Sequence, residues 1–158
     1  MNKKGSGSTP EQRLETMGVS LPDVAAPVAS YLPTVRSGSQ VFVSGQLPWR
    51  DGELHATGKV GREVDEAQAV ECARLCALNA VAALKAELGE LSKVRRVVKA
   101  GVFVASSPEY TGQPAVANGA SELFAEVFGE EGRHARSAVG VAVLPLDTPV
   151  EVELIVEV

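Results

Sequence analysis

Histidine, cysteine and aromatic side chains are scarce in this sequence: two, two and 4% respectively. Two histidines (His55, His134) and two cysteines (Cys72, Cys76) do not make a four-ligand zinc site, and C-x-x-x-C is not its spacing. Cysteines four apart read instead as two small apolar groups on one helix face, too few and too close for a disulfide framework. Basic residues are in deficit, 15 Lys and Arg against 20 Asp and Glu, for a net charge of −5. That balance counts against a large nucleic-acid surface, and pairs such as Arg95-Arg96 read as solvated charge. No uninterrupted apolar run reaches the ~18 residues of a membrane helix. The opening MNKKGSGSTPEQ carries lysines but no apolar segment of secretory type, so a cytoplasmic location is expected. Nucleotide loops are missing too. Gly52 and Gly58-Lys59 are separated by five residues rather than four, Val60 replaces the hydroxyl residue, and neither G-x-G-x-x-G nor G-x-S-x-G occurs. The spacing of His134 and Ser44 gives no support to a serine-hydrolase triad.

What is present suits one domain: 158 residues, 45% apolar and 22% charged. Residues 1–8, with their GSGS stretch, are expected to form a flexible tail. Residues 9–30 are expected to form a helix and an extended arm, and residues 31–158 the main domain. Thr9 caps a short helix, with Pro10 at its first position, Gln12 completing a capping box and Gly18 as its stop. Pro22, Pro27 and Pro33 keep the following stretch extended. QVFVSGQ (40–46) alternates as a strand, and Asp51-Gly52 signals a turn. Asp65 and Gln68 cap a long alanine-rich helix that Gly89 ends; its lone interior amide, Asn79, is expected to tie down a loop. A strand over 93–105, a helix over 113–128, and strands over 137–144 and 150–158 complete the order β, α, β, α, β, β. The fold class this implies is α+β, with helices on one face of a mixed sheet.

Two residues of the C-terminal third carry candidate chemistry. Arg136 heads a lane of small residues, Ala138, Gly140 and Ala142, above which a guanidinium could fork onto a carboxylate. Pairing with a local glutamate is the alternative. Glu151, Glu153 and Glu157 alternate with Val150, Val152, Leu154, Val156 and Val158. They mark a solvent face or, beside a bound anion, a carboxylate able to position a water. If residues 144–150 form a hairpin, Glu151 falls near Val143 and about seven residues from Arg136, roughly 23 Å away. One small ligand cannot bridge that gap, so a site using both residues requires two chains.

Several segments together resemble the YjgF/RidA family, also called the endoribonuclease L-PSP family. They are FVSGQLP (42–48), Asn79, VFV (102–104), Asn118 with Phe124, ARSAV (135–139), Leu144-Pro145 and VEVE (150–153). The resemblance runs from about Tyr31 to Val158. It implies a chorismate-mutase-like subunit that forms homotrimers with ligand clefts between subunits. It also implies hydrolytic deamination of small reactive 2-enamino or 2-imino acids to 2-keto acids and ammonia, with no cofactor and no metal. By position, Arg136 would clamp the substrate carboxylate and Glu151 would position the attacking water. Ser44, Tyr31 and Asn118 would lie at or near the cleft, and Ala138 would contribute backbone contacts where the family has cysteine. His134 stands where the family usually has proline, and Ala29-Ser30-Tyr31 replaces its Gly-Pro-Tyr. A non-catalytic trimer that binds small carboxylates is the alternative function, and an endoribonuclease the third.

Overall fold

The computed structural model describes residues 7–24 and 30–158; Pro27, Ala29 and the first half of the GSGS stretch lie outside them. Helix α1 (Pro10–Thr16) begins at the expected capping box: Thr9 Oγ1 accepts from the Gln12 amide, and the Thr9 amide donates to Gln12 Oε1. Its Leu14 enters the core. Glu11 secures the helix from outside, accepting from the Leu91 amide at 2.7 Å and from Lys85 at 2.9 Å.

Five strands form the main sheet: β1 (Thr34–Ser37), β2 (Gln40–Gln46), β5 (Arg96–Ala105), β6 (Ala135–Val141) and β7 (Val150–Glu157). Two short strands, β3 (Trp49–Arg50) and β4 (Glu53–Leu54), make a separate hairpin around Asp51 and Gly52, both at positive φ as a tight hairpin turn requires. The order across the main sheet is β1-β2-β7-β5-β6, with only the β5–β6 pair parallel. Helices α2 (Glu66–Leu88) and α3 (Gln113–Phe128) pack on one face of it. They approach so closely that a Cβ at Gly119 would overlap the Val70 carbonyl. The capping box at Asp65 and Gln68 is formed, and Gly89 ends α2 at positive φ. By length and composition α2 could cross a bilayer, but its apolar residues are in the core, twelve of them buried.

Three expectations need correction. The hairpin between the last two strands does not form: β5 lies between β6 and β7. The intervening α3 is a crossover, which returns the chain parallel to the strand it left, so β6 joins β5 at the sheet edge. The chain then rounds the end of β5 through a 3₁₀ turn at Pro145–Asp147 and enters the middle of the sheet. A further strand, β1, precedes β2; its signal is the Ser37-Gly38-Ser39 turn, where Gly38 takes positive φ. Boundaries also move. Leu91–Lys93 is a 3₁₀ turn before β5, and β6 begins two residues before the expected Ser137 and ends three before Leu144.

Candidate functional site

Arg136 points from the edge strand toward α3. There Pro114, Asn118 and Ser121, at helical i, i+4 and i+7 spacing, present three oxygens in a row. Nη1 donates to Asn118 Oδ1 at 2.8 Å and to Ser121 Oγ at 3.1 Å, and Nη2 reaches the Pro114 carbonyl at 3.4 Å. The local glutamate pairing does not occur. Among the described residues Arg136 has no acidic partner, so its charge is held by neutral acceptors alone. The space above the small-residue lane is also smaller than expected. A Cβ at Gly140 would meet the Gln113 amide at 2.8 Å, and Ala138 packs against the core.

Glu151 lies on the other face. Strand β7 alternates as expected, with Val150, Val152, Leu154 and Val156 buried under the helices and the glutamates on the uncovered side. Because β7 is the central strand, these carboxylates occupy the middle of that face rather than a solvated edge. Glu151 is half-buried, and burial, with Glu153 beside it, holds its carboxyl above the ordinary range. It accepts no hydrogen bond among the described residues and folds across Gly45, where any Cβ would overlap the carboxylate. Gly45 therefore makes room for the Glu151 carboxylate. Ser44 Oγ donates to the Leu32 carbonyl at 2.6 Å, pinning the segment that carries Tyr31 to β2. Tyr31 is 54% exposed.

The six candidate residues thus fall into two groups. Arg136, Asn118 and Ala138 lie between β6 and α3; Glu151, Ser44 and Tyr31 lie around the β2–β7 end of the sheet. Arg136 is level with Ala100 on β5, and Glu151 with Phe103. That offset is three residues along and two strands across, about 14 Å between α-carbons rather than roughly 23 Å. The two side chains leave opposite faces of the sheet. A single small molecule cannot touch both within one chain.

The uncovered face also presents apolar Val35, Phe42 and Val139, 41–51% exposed, beside the exposed basic Arg96 and Lys99 of β5. A cavity of about 940 Å³ lies apart from both groups, bounded by Leu21, Pro22, Trp49, Arg50, Leu78 and Asn79. Asn79 does the structural work expected of it, donating to the Leu47 and Trp49 carbonyls at 3.1 and 3.2 Å. Neither cysteine is poised as a nucleophile. Burial, with Glu71 nearby, pushes the Cys72 thiol up to about 12, and complete burial holds the Cys76 thiol well above the ordinary thiol range. Sequence reading overlooked Ser121, which no pattern within α3 sets apart from other polar residues such as Gln113, Glu122 and Glu126.

The family model described as "YjgF/chorismate mutase-like, putative endoribonuclease" matches residues 11–158. Protein TCP17 of Trypanosoma cruzi is 51% identical over 145 residues, 91% of each chain. The protein Atu1372 of Agrobacterium tumefaciens, solved with unknown function, superposes with a TM-score of 0.89 at 51% identity, covering 95% of this chain and 93% of that one. A 2-iminobutanoate/2-iminopropanoate deaminase of Dermatophagoides farinae is 31% identical over 140 residues, 87% of this chain and 93% of that protein. With both its sequence and its α+β architecture matched over nearly the whole length, the chain belongs to the YjgF/RidA family of chorismate-mutase-like proteins.

Proposed function

We propose that the protein hydrolyses small 2-imino or 2-enamino acids to 2-keto acids and ammonia, in clefts between the subunits of a homotrimer. The observation that carries this reading is Arg136: a guanidinium fixed by neutral oxygens, with no carboxylate among the described residues to neutralise it. Such a group is prepared for an external anion, and its planar fork matches a carboxylate. Similarity to an imine deaminase supplies the reaction class. The uncovered face gives a reason for assembly, since its exposed Val35, Phe42 and Val139 would gain from burial against another copy. Assembly would bring the Glu151 group of one subunit to the Arg136 group of the next.

In the proposed reaction Arg136 anchors the substrate carboxylate, and water adds to the imine carbon while Glu151 accepts its proton. With the imine protonated this gives a neutral carbinolamine, whose nitrogen takes that proton back from Glu151; ammonia then leaves as Glu151 accepts the hydroxyl proton, and the carbonyl remains. A carboxyl with a raised pKa suits both the accepting and the returning step. No cofactor enters these steps, because orientation and one proton acceptor suffice for hydrolysis of an activated C=N bond.

The test is keto-acid release from 2-imino acids generated in situ. Acceleration over buffer that disappears in Arg136→Ala supports the reading. No acceleration with either small or bulky imino acids rejects it. Ala138, which offers only backbone contacts, favours a second reading: a trimer that holds a carboxylate without turnover. In that case Glu151→Gln would leave ligand affinity unchanged and there would be no wild-type turnover to lose.

A further inference from the structure

His134 is the neighbour of the anchor that the proposed reaction does not use. Its Nδ1 lies 2.6 Å from the Gly132 carbonyl and its Nε2 lies 2.9 Å from Ser121 Oγ. A carbonyl can only accept, so the bond to Gly132 places a proton on Nδ1, and in the neutral ring this leaves Nε2 as an acceptor. The Ser121 hydroxyl has one proton and gives it to Nε2, which turns its lone pairs toward Arg136 Nη1 at 3.1 Å. All donors therefore run one way: guanidinium to hydroxyl, hydroxyl to imidazole, imidazole to backbone carbonyl. The plane of the ring is set by Phe124, which is fully buried and meets it edge to face at 5.6 Å between centroids.

The chain of bonds determines which part of the guanidinium is free. Both protons of Nη1 are spent, one on Asn118 and one on Ser121, whereas Nε has no partner among the described residues. Nη2 has only the long contact to Pro114. We infer that Ser121 and His134 are positioning residues that lock the Nη1 side of Arg136 against α3 and reserve its Nε–Nη2 edge for a side-on, bidentate substrate carboxylate. This deepens the proposed function and rests on it, because it takes Arg136 to be the anchor.

The chemistry gives a kinetic signature. A carboxylate held equally in the ground state and the transition state contributes to KM rather than to kcat. Ser121→Ala should raise KM about tenfold, in line with the loss of a bond to a charged group, and His134→Ala, which acts through Ser121, by less, with little change in kcat in either. His134→Gln can still offer an acceptor to Ser121 and should restore most of the affinity. A purely structural role for the ring would not distinguish Gln from Ala in this way when both variants fold.

The experiment measures KM and kcat for a 2-imino acid, and in parallel the affinity for 2-ketobutyrate as a stable carboxylate probe. Nitrogen chemical shifts of the His134 ring give a readout independent of any ligand. The Nδ1–H tautomer in the wild type, weaker probe binding in both alanine variants and recovery in His134→Gln support the inference. An Nε2–H tautomer, or unchanged affinity in folded Ser121→Ala and His134→Ala, overturns it. Failure of the underlying reading appears elsewhere: the wild type itself neither turns over imino acids nor binds the probe, and the inference then falls with it.

Discussion

The two faces of one five-stranded sheet contrast sharply. On the helix side, β7 contributes Val150, Val152, Leu154 and Val156, all at most 1% exposed and packed under α2 and α3. On the other side, the same strand offers Glu151, Glu153 and Glu157, on a face shared with Phe42, Val139, Val35 and Lys99 that no described helix covers. Strand β7 therefore spends one face on folding and leaves the other charged and uncovered. The first face should respond to mutation as a core does, and the second as an interface and a site.

The largest effect is expected on the covered face. Phe124, fully buried between α3 and the sheet, should cost about 3–5 kcal/mol as Phe124→Ala, read as a drop in the denaturation midpoint with unchanged slope. On the uncovered face, Val139→Asp should change the stability of the single chain by no more than about 0.5 kcal/mol. It should nevertheless abolish assembly, which light scattering at matched concentrations would show. Equal losses of stability from the two substitutions would break the contrast.

Glu151 sharpens it further. Burial and Glu153 raise its carboxyl above the ordinary range, so the folded chain holds that proton more tightly than the unfolded chain does. The cost to stability is absent below the ordinary carboxylate range and complete once pH exceeds the raised value. Glu151→Gln in the monomeric Val139→Asp background should therefore melt at a higher temperature than its parent. The advantage should grow as pH rises through that window and then level off. An advantage that shrinks with rising pH would contradict the assignment. The smallest effect is local: Asp65→Ala removes the cap of α2, where Oδ1 accepts from the Gln68 amide at 2.8 Å, and should cost about 1 kcal/mol in thermal unfolding.

Elements with strong local signals were legible in the sequence. The strand at Gln40–Gln46, the helix at Gln113–Phe128 and both capping boxes stand where alternation, periodicity and cap chemistry put them. What local patterns do not encode is which strands become neighbours. The Leu144–Val150 segment looks like a hairpin because prolines and an aspartate suit a turn, yet the helix before β6 had already committed that strand to a parallel place beside β5. The same limit applied to Arg136 and Glu151. Alternation tells which residues share a face within one strand, but the face of one strand relative to another follows only from register. That the two residues cannot serve one ligand in one chain held on changed grounds: opposite faces, not a long separation along a hairpin. Ser121 stayed hidden because a serine in a helix carries no signal until its partner across the sheet edge is known.

The account's central claim is that Arg136 of one subunit and Glu151 of another complete one site. Complementation tests this most directly, by assaying keto-acid release from Arg136→Ala chains, Glu151→Gln chains and the two co-expressed. Each variant alone should be inactive, and random co-assembly should restore about one quarter of the wild-type sites, since only one of the four neighbour pairings is intact. No recovery in mixed assemblies, with both variants folded and assembled, would contradict it.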